Sequence, residues 1–127
     1  MNAEQIREYC LSKKAVTEEF PFDEVTLVFK VMDRIFALVS LDEELSVNLK
    51  CKPDRALDLR ERFPAVSPGY HMNKKHWNTI VIDGTMKWGL VKELIDHSYE
   101  IVVQGLSRRS REELRMQQGK NFDNDLV

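Results

Sequence analysis

Glycine is sparse and scattered in this chain, with Gly69, Gly84, Gly89, Gly105 and Gly119 spread over 127 residues. A phosphate-cradling loop needs glycines clustered so that backbone N–H groups can approach the ligand, and no GxGxxG, P-loop or nucleophile-elbow pattern occurs. Cysteine is scarcer still. Cys10 and Cys51 form no CxxC or metal-ligand spacing and sit among apolar neighbours, which predicts reduced thiols in the core. Long apolar runs are absent: none approaches the roughly 20 residues a membrane helix requires. Met1-Asn2-Ala3-Glu4-Gln5 lacks the basic-then-apolar order of a signal peptide. The expectation is a cytoplasmic protein with no membrane partner. Positive charge is not in excess either, since 19 Lys and Arg face 21 Asp and Glu for a net charge of −2. That balance excludes a protein that coats nucleic acid through its overall charge. It leaves room for a local basic face, effective within a Debye length of about 8–10 Å.

What is present is an ordinary globular composition, 43% hydrophobic and 31% charged. No repeat, low-complexity tract or Gly/Ser linker divides the chain. Residues 1–118 are therefore expected to form one domain, with 119–127 as a flexible tail poor in apolar anchors.

Periodicity predicts the elements. Ile6, Tyr9, Cys10 and Lys13 share one face of a helix over 2–14, and Phe20-Pro21-Phe22-Asp23 breaks it before the sheet. Alternation predicts strands over 25–31, 34–41 and 45–51, with a tight reversal at Asp33-Arg34. The last has one wet face, carried by Ser46, Asn48 and Lys50. Pro53 suits the first turn of a helix with Ala56, Leu59 and Phe63 as its stripe and an Asp58–Arg62 pair on its surface, ended by Pro64. A second hairpin, 69–73 with 76–82, folds around Asn73-Lys74-Lys75. Thr85 is placed to cap a main core helix over 86–105, in which Trp88, Val91 and Ile95 are expected to be buried with Val47 and Leu49. Ser110-Arg111-Glu112-Glu113 has capping-box spacing for a short helix over 111–118, anchored by Leu114 and Met116. The result is an α+β fold in two layers: a twisted antiparallel sheet with helices on one face, in the order α-β-β-β-α-β-β-α, with a possible extra helix.

Chemistry-bearing residues concentrate in Tyr70-His71-Met72-Asn73-Lys74-Lys75-His76-Trp77-Asn78-Thr79. Lys74 and Lys75 at a hairpin tip are charges on long stems that reach phosphates. Asn73 and Asn78 supply donors and acceptors. Trp77 or Tyr70 can stack on a base, while Trp77 can equally fill the core and Asn73 can supply a positive-φ turn position. Lys30, Arg34, Lys50 and Lys52 lie on or beside the first three strands. If the tip at Arg34 stands beside the tip at Lys74, two wings straddle a duplex backbone. His71 and His76 lack further converging ligands, so no metal is expected; His97, on the main helix, is expected to be solvated. Glu18, Glu19, Asp23 and Glu24 form an acidic patch without fixed helical spacing. No catalytic triad order is present, and the expectation is a non-enzymatic protein without cofactor.

The run Pro68-Gly69-Tyr70-His71-Met72-Asn73-Lys74-Lys75-His76-Trp77-Asn78-Thr79, then Asp83-Gly84 and Ser98-Tyr99, resembles the MmcQ/YjbR family over nearly the whole chain, to about Arg111. The resemblance implies a small bacterial cytoplasmic protein with a two-layer fold shaped like frataxin-like CyaY. It also implies DNA binding through a double-wing arrangement of hairpins; the residues expected to make the contact are Arg34, Lys50, Lys52, Asn73, Lys74, Lys75, His76 and Trp77. The alternative is a small-ligand or protein-interaction module around Tyr70, His76 and Trp77. An open basic surface around Trp77 favours the first, and a closed pocket favours the second.

Overall fold

A computed structural model describes residues 1–42, 44–69 and 72–117. The predicted tail over 119–127 lies outside the described residues, as do Tyr70 and His71. The elements run α1 (Ala3–Leu11), β1 (Val16–Glu19), β2 (Thr26–Val31), β3 (Arg34–Ser40), β4 (Ser46–Lys50), α2 (Pro53–Arg62), β5 (Val66–Pro68), β6 (Trp77–Val81), α3 (Trp88–Gln104) and α4 (Arg108–Met116). The strands form one antiparallel sheet in the order β1-β2-β3-β4-β6-β5. The α+β fold with a layer of helices is therefore as expected, with one strand more than the periodicity showed.

Local chemistry explains the joints. Asn2 and Gln5 cap α1 reciprocally: Asn2 Oδ1 accepts the Gln5 N–H at 2.9 Å, and Gln5 Oε1 accepts the Asn2 N–H at 3.1 Å. Ala15, at φ 61°, turns the chain into β1. That strand was missed because its four residues, Val-Thr-Glu-Glu, carry one apolar side chain and pair at a sheet edge. The β2–β3 reversal uses Met32 (φ 49°) and Asp33 (φ 66°), one residue earlier than Asp33-Arg34. Two consecutive left-handed residues match the right-handed twist of the strands they join. A bulge then sets Phe29 opposite Ala37 and Lys30 opposite Ile35, leaving Phe36 as the extra residue. Ser98 of α3 secures it, donating from Oγ to the Phe36 carbonyl at 2.5 Å while accepting the Lys50 N–H at 2.9 Å.

All four helices cover one face. Ile6 and Cys10 of α1, Ala56 and Leu59 of α2, Val91, Leu94, Ile95 and Val102 of α3, and Leu114 of α4 share a core with Phe29, Phe36, Val39, Val47, Leu49 and Ile80. Both cysteines are buried free thiols, and burial pushes Cys10 up to about 12. Arg62 pairs with Asp58 at 3.3 Å as the spacing predicted.

Several expectations need correction. Trp88 is only half-buried and packs on the rim, its ring edge-on to Tyr9 with centroids 5.8 Å apart. Thr85 does not cap α3; its hydroxyl and N–H both bond to Asp83, and Lys87 precedes the helix without a side-chain cap. Ser107 rather than Ser110 caps α4, accepting the Ser110 N–H at 3.1 Å, so the helix begins one turn early. Met116 projects into solvent and leaves Leu114 as the anchor. The strand expected over 69–73 is Val66–Pro68 instead. Pro68 ends it opposite Asn78, and Gly69 fits because a Cβ there would meet Trp77 Cβ at 3.0 Å.

Candidate nucleic-acid interface

The strand registers bring the two hairpin tips to the same end of the sheet. Arg34 closes the β2–β3 turn opposite Val31, Ala37 pairs with Leu49, and Lys50 pairs with Trp77, where β6 leaves the 69–76 connection. One strand, β4, separates the two tips, and its exit at Lys50 and Lys52 lies between them. Arg34, Lys50, Lys52 and Lys75 form no ion pair among the described residues. Arg34, Lys50, Trp77 and the last turn of α3 line a depression of about 370 Å³ there, with Asp33 as an opposing charge.

The second tip is braced from within. Asn73 Oδ1 accepts the Lys75 N–H at 2.9 Å, and the Asn73 carbonyl accepts from His76 and Trp77 at 3.0 and 2.9 Å. Asn73 thus shapes the turn through its side chain, not through a positive φ. The His76 carbonyl accepts the Cys51 N–H at 2.7 Å, tying the loop to the exit of β4, and the imidazole is half-buried. Arg60 reaches over from α2. Its Nε donates to Asn78 Oδ1 at 2.7 Å, and its Nη2 donates to the carbonyls of Trp77, at 3.3 Å, and Lys74. Asn78, nearly sealed from solvent, returns a bond to the Ala56 carbonyl at 3.2 Å. Lys74 and Lys75 are exposed on this scaffold.

Trp77 turns its ring to the face opposite the helices. It is 7% exposed and forms a second apolar cluster with Val28 and Leu38, with Ile35 and Met72 packed against it. It therefore fills a core, though not the helix-covered one, and its ring is the floor of the open face, not a free stacking platform. Of the expected Tyr70, His76 and Trp77 group, Trp77 faces this cluster, the His76 imidazole is half-buried, and Tyr70 lies outside the described residues. His97 is not simply solvated: half-buried, it accepts the Lys52 N–H at 3.4 Å, and burial with nearby Arg55 and Lys52 lowers its pKa. Of the acids, Asp23 and Glu24 lie at the far end of the sheet, before β2, while Glu18 and Glu19 stand opposite Phe29 and Val28 in the middle of β2. Glu18 pairs with Arg7 at 2.7 Å and Glu19 with Lys30 at 2.5 Å. Asp23 accepts from Val25 and Thr26, which lowers its pKa. Among the described residues no group of three His, Cys, Asp or Glu side chains is placed to hold a metal ion, and no helix is long and apolar enough to cross a membrane.

The family model YjbR matches residues 11–101, a stretch that includes both hairpin tips, the sheet and most of α3. The chain belongs to the YjbR family. Among relatives, YbdF of Escherichia coli O157:H7 is 37% identical over 97 residues, covering 76% of this chain and 80% of that protein. YjbR of Escherichia coli K12 is 31% identical over 112 residues, covering 87% and 95%. The crystal structure of Deinococcus radiodurans DR2400, assigned to domain family DUF419, superposes with a TM-score of 0.85 at 38% identity over 93% of this chain and 91% of that one. A Pseudomonas syringae crystal structure gives 0.70 at 26% identity, over 80% and 98%.

The YjbR match ends before α4, so the arginines of that helix lie outside it. Arg108 and Arg109 are engaged within the helix, with Glu112 at 3.7 Å and Glu113 at 3.3 Å. Arg60 escaped the sequence reading because it lies on the same helix as a visible surface pair, and nothing in its spacing points across to Asn78.

Proposed function

We propose that this YjbR-family protein binds nucleic acid, DNA foremost, in a non-enzymatic role and in the bacterial cytoplasm. Contact is made with the end of the sheet where the two hairpin tips converge. The observation that carries this reading is the placement of Arg34, Lys50, Lys52 and Lys75 at one end, without ion-pair partners among the described residues. Cations already neutralised by carboxylates gain little from a phosphate, whereas these release counterions from the strand when they bind. The two tips, one strand apart, act as a pair of short wings, with β4 supplying charge between them. Arg60 and Asn73 hold the second tip in shape before binding, so less ordering entropy is lost on contact.

A salt titration tests the reading. Binding to DNA should fall linearly in log–log form, with a slope near −0.9 per duplex phosphate neutralised and about −0.7 per single-strand phosphate. Replacing Lys50 and Lys75 together by alanine should reduce that slope by about 1.4–1.8. Absence of salt-dependent binding to duplex and single strand alike, even at low ionic strength, would remove this function.

A further inference from the structure

The open face of the sheet carries a second cleft, of about 450 Å³, separate from the depression at the tips. Phe22 and Asp23 from the β1–β2 connection stand on one side, Met72 from the β5–β6 connection on the other, and Leu38, Ser40 and Asn48 lie between. Its apolar lining includes Leu38, which packs with Val28 and Trp77, and Met72, which packs against that cluster. Phe22 is 67% exposed, so its ring has a free face beside the cleft.

The polar lining is oriented. Thr79 Oγ1 donates to Asn48 Oδ1 at 2.5 Å, which commits that oxygen and sets the amide so that Nδ2 is left to donate. Gly69 packs against the same oxygen, where a Cβ would stand 3.3 Å away. Thr26 Oγ1 donates to Asp23 at 3.1 Å and keeps its lone pairs for acceptance. An amide donor, two hydroxyls and an exposed ring over an apolar floor suit a planar heterocycle that carries carbonyl and N–H groups on its edge. A phosphate does not suit this cleft, because the Asp23 carboxylate lines it.

The phosphate has its place next door. Lys50 follows Asn48 as the next open-face residue of β4, and two residues along a strand span roughly 6.6–6.8 Å. That step is comparable with the reach from a base to its own phosphate in an extended nucleotide. We propose that the open face takes an unpaired nucleotide of a single strand, its base in the cleft between Phe22 and Met72 with its carbonyl edge on Asn48 Nδ2, and its phosphate against Lys50 and Arg34. The inference rests on the nucleic-acid reading and narrows its substrate class to unpaired strands. A duplex buries the faces of its bases in its own stack and must extrude one to fill this cleft.

Fluorescence anisotropy at low salt decides it, with three probes: a single strand of about ten nucleotides, its duplex, and the same strand with abasic sites. The intact strand should bind about tenfold more tightly than the other two, and Phe22→Ala should erase that advantage. Asn48→Ala should reduce it in the same direction. Phe20→Ala, which removes an exposed ring outside the cleft, should leave it unchanged. Thermal unfolding of each variant checks the fold, which the largely solvated Phe22 ring does little to support. If the abasic strand binds as tightly as the intact one, or Phe22→Ala keeps the preference, the base site is wrong and phosphate binding at the tips stands alone. If none of the probes binds, the nucleic-acid reading itself falls.

Discussion

His97 sits half-buried on α3, where burial first, and then Arg55 and Lys52, hold its pKa below the ordinary 6.5 against the weaker opposing pull of Glu100 and Glu93. The folded protein therefore takes up this proton less readily than the unfolded chain. The contribution of His97 to stability is complete above about pH 6.5 and is lost as pH falls through the lower folded-state value. The Lys52 N–H, which needs an unprotonated Nε2, loses its acceptor over the same range. Melting temperature followed from about pH 8 to about pH 5 should drop, and His97→Gln should flatten that drop; an unchanged pH profile would acquit His97. Asn78 raises a different question, because its amide is buried and used at both ends, by Arg60 and by the Ala56 carbonyl. Asn78→Ala leaves both partners short of a bond, at a cost of about 1–3 kcal/mol by urea unfolding. A loss under about 0.5 kcal/mol would show that water replaces the amide freely.

Among the elements, α3 illustrates how far a helical stripe reaches. Its first residue, Trp88, is on the face that buries Val91 and Ile95, yet it passes beyond the sheet and rests edge-on against Tyr9, with Lys92 Nζ 5.6 Å from its ring centre. Phe36, from the β3 bulge, is fully buried at the centre, 5.3 Å from the Tyr99 ring and 6.5 Å from Phe29. Phe36→Ala should therefore cost about 3–5 kcal/mol, and Trp88→Ala about 1–2 kcal/mol, since part of its surface is already wet. Equal costs in denaturant unfolding would place Trp88 in the core after all.

Across the whole molecule, the net charge of −2 conceals a separation of charge along the strands. Arg34, Lys50, Lys52 and Lys75 stand at one end, while Asp23 and Glu24, just before β2 begins, stand at the other; Glu18 and Glu19 lie opposite the middle of β2, each paired with a cation. The six residues of β2 put the two ends roughly 20 Å apart. At about 0.15 M salt the Debye length is near 8 Å, so the acidic end is screened from a ligand at the basic end; at about 0.01 M it is near 30 Å and the acidic end repels. Glu24→Lys should accordingly leave affinity for duplex DNA, which contacts the tips alone, unchanged at physiological salt and raise it at low salt, as read by anisotropy at both. An equal gain at both salts would mean that residue 24 touches the ligand directly.

The tertiary structure and the sequence divide the molecule along physical lines. Alternation at Val47 and Leu49 and the helical stripe at Val91 and Ile95 follow from which side chains avoid water, and Pro53 at a helix start follows from its missing N–H; all are local, so they were legible from the chain alone. The basic residues and the motif around Asn73 were legible as chemistry for the same reason. The edge strand Val16–Glu19 was not, because an edge pairs by backbone bonds that leave little pattern in side chains. Position in space was hidden as well. Only the register of β4 with β6 sets Lys50 beside Trp77, only the bulge at Phe36 lets Ser98 bind two strands at once, and only the packing of α2 brings Arg60 onto Asn78. The cleft of Phe22, Asn48 and Met72 is assembled from three strands and two connections spread along the chain. Periodicity reports which face of an element is dry; it carries no information about which neighbour that face meets, and binding sites are made by neighbours.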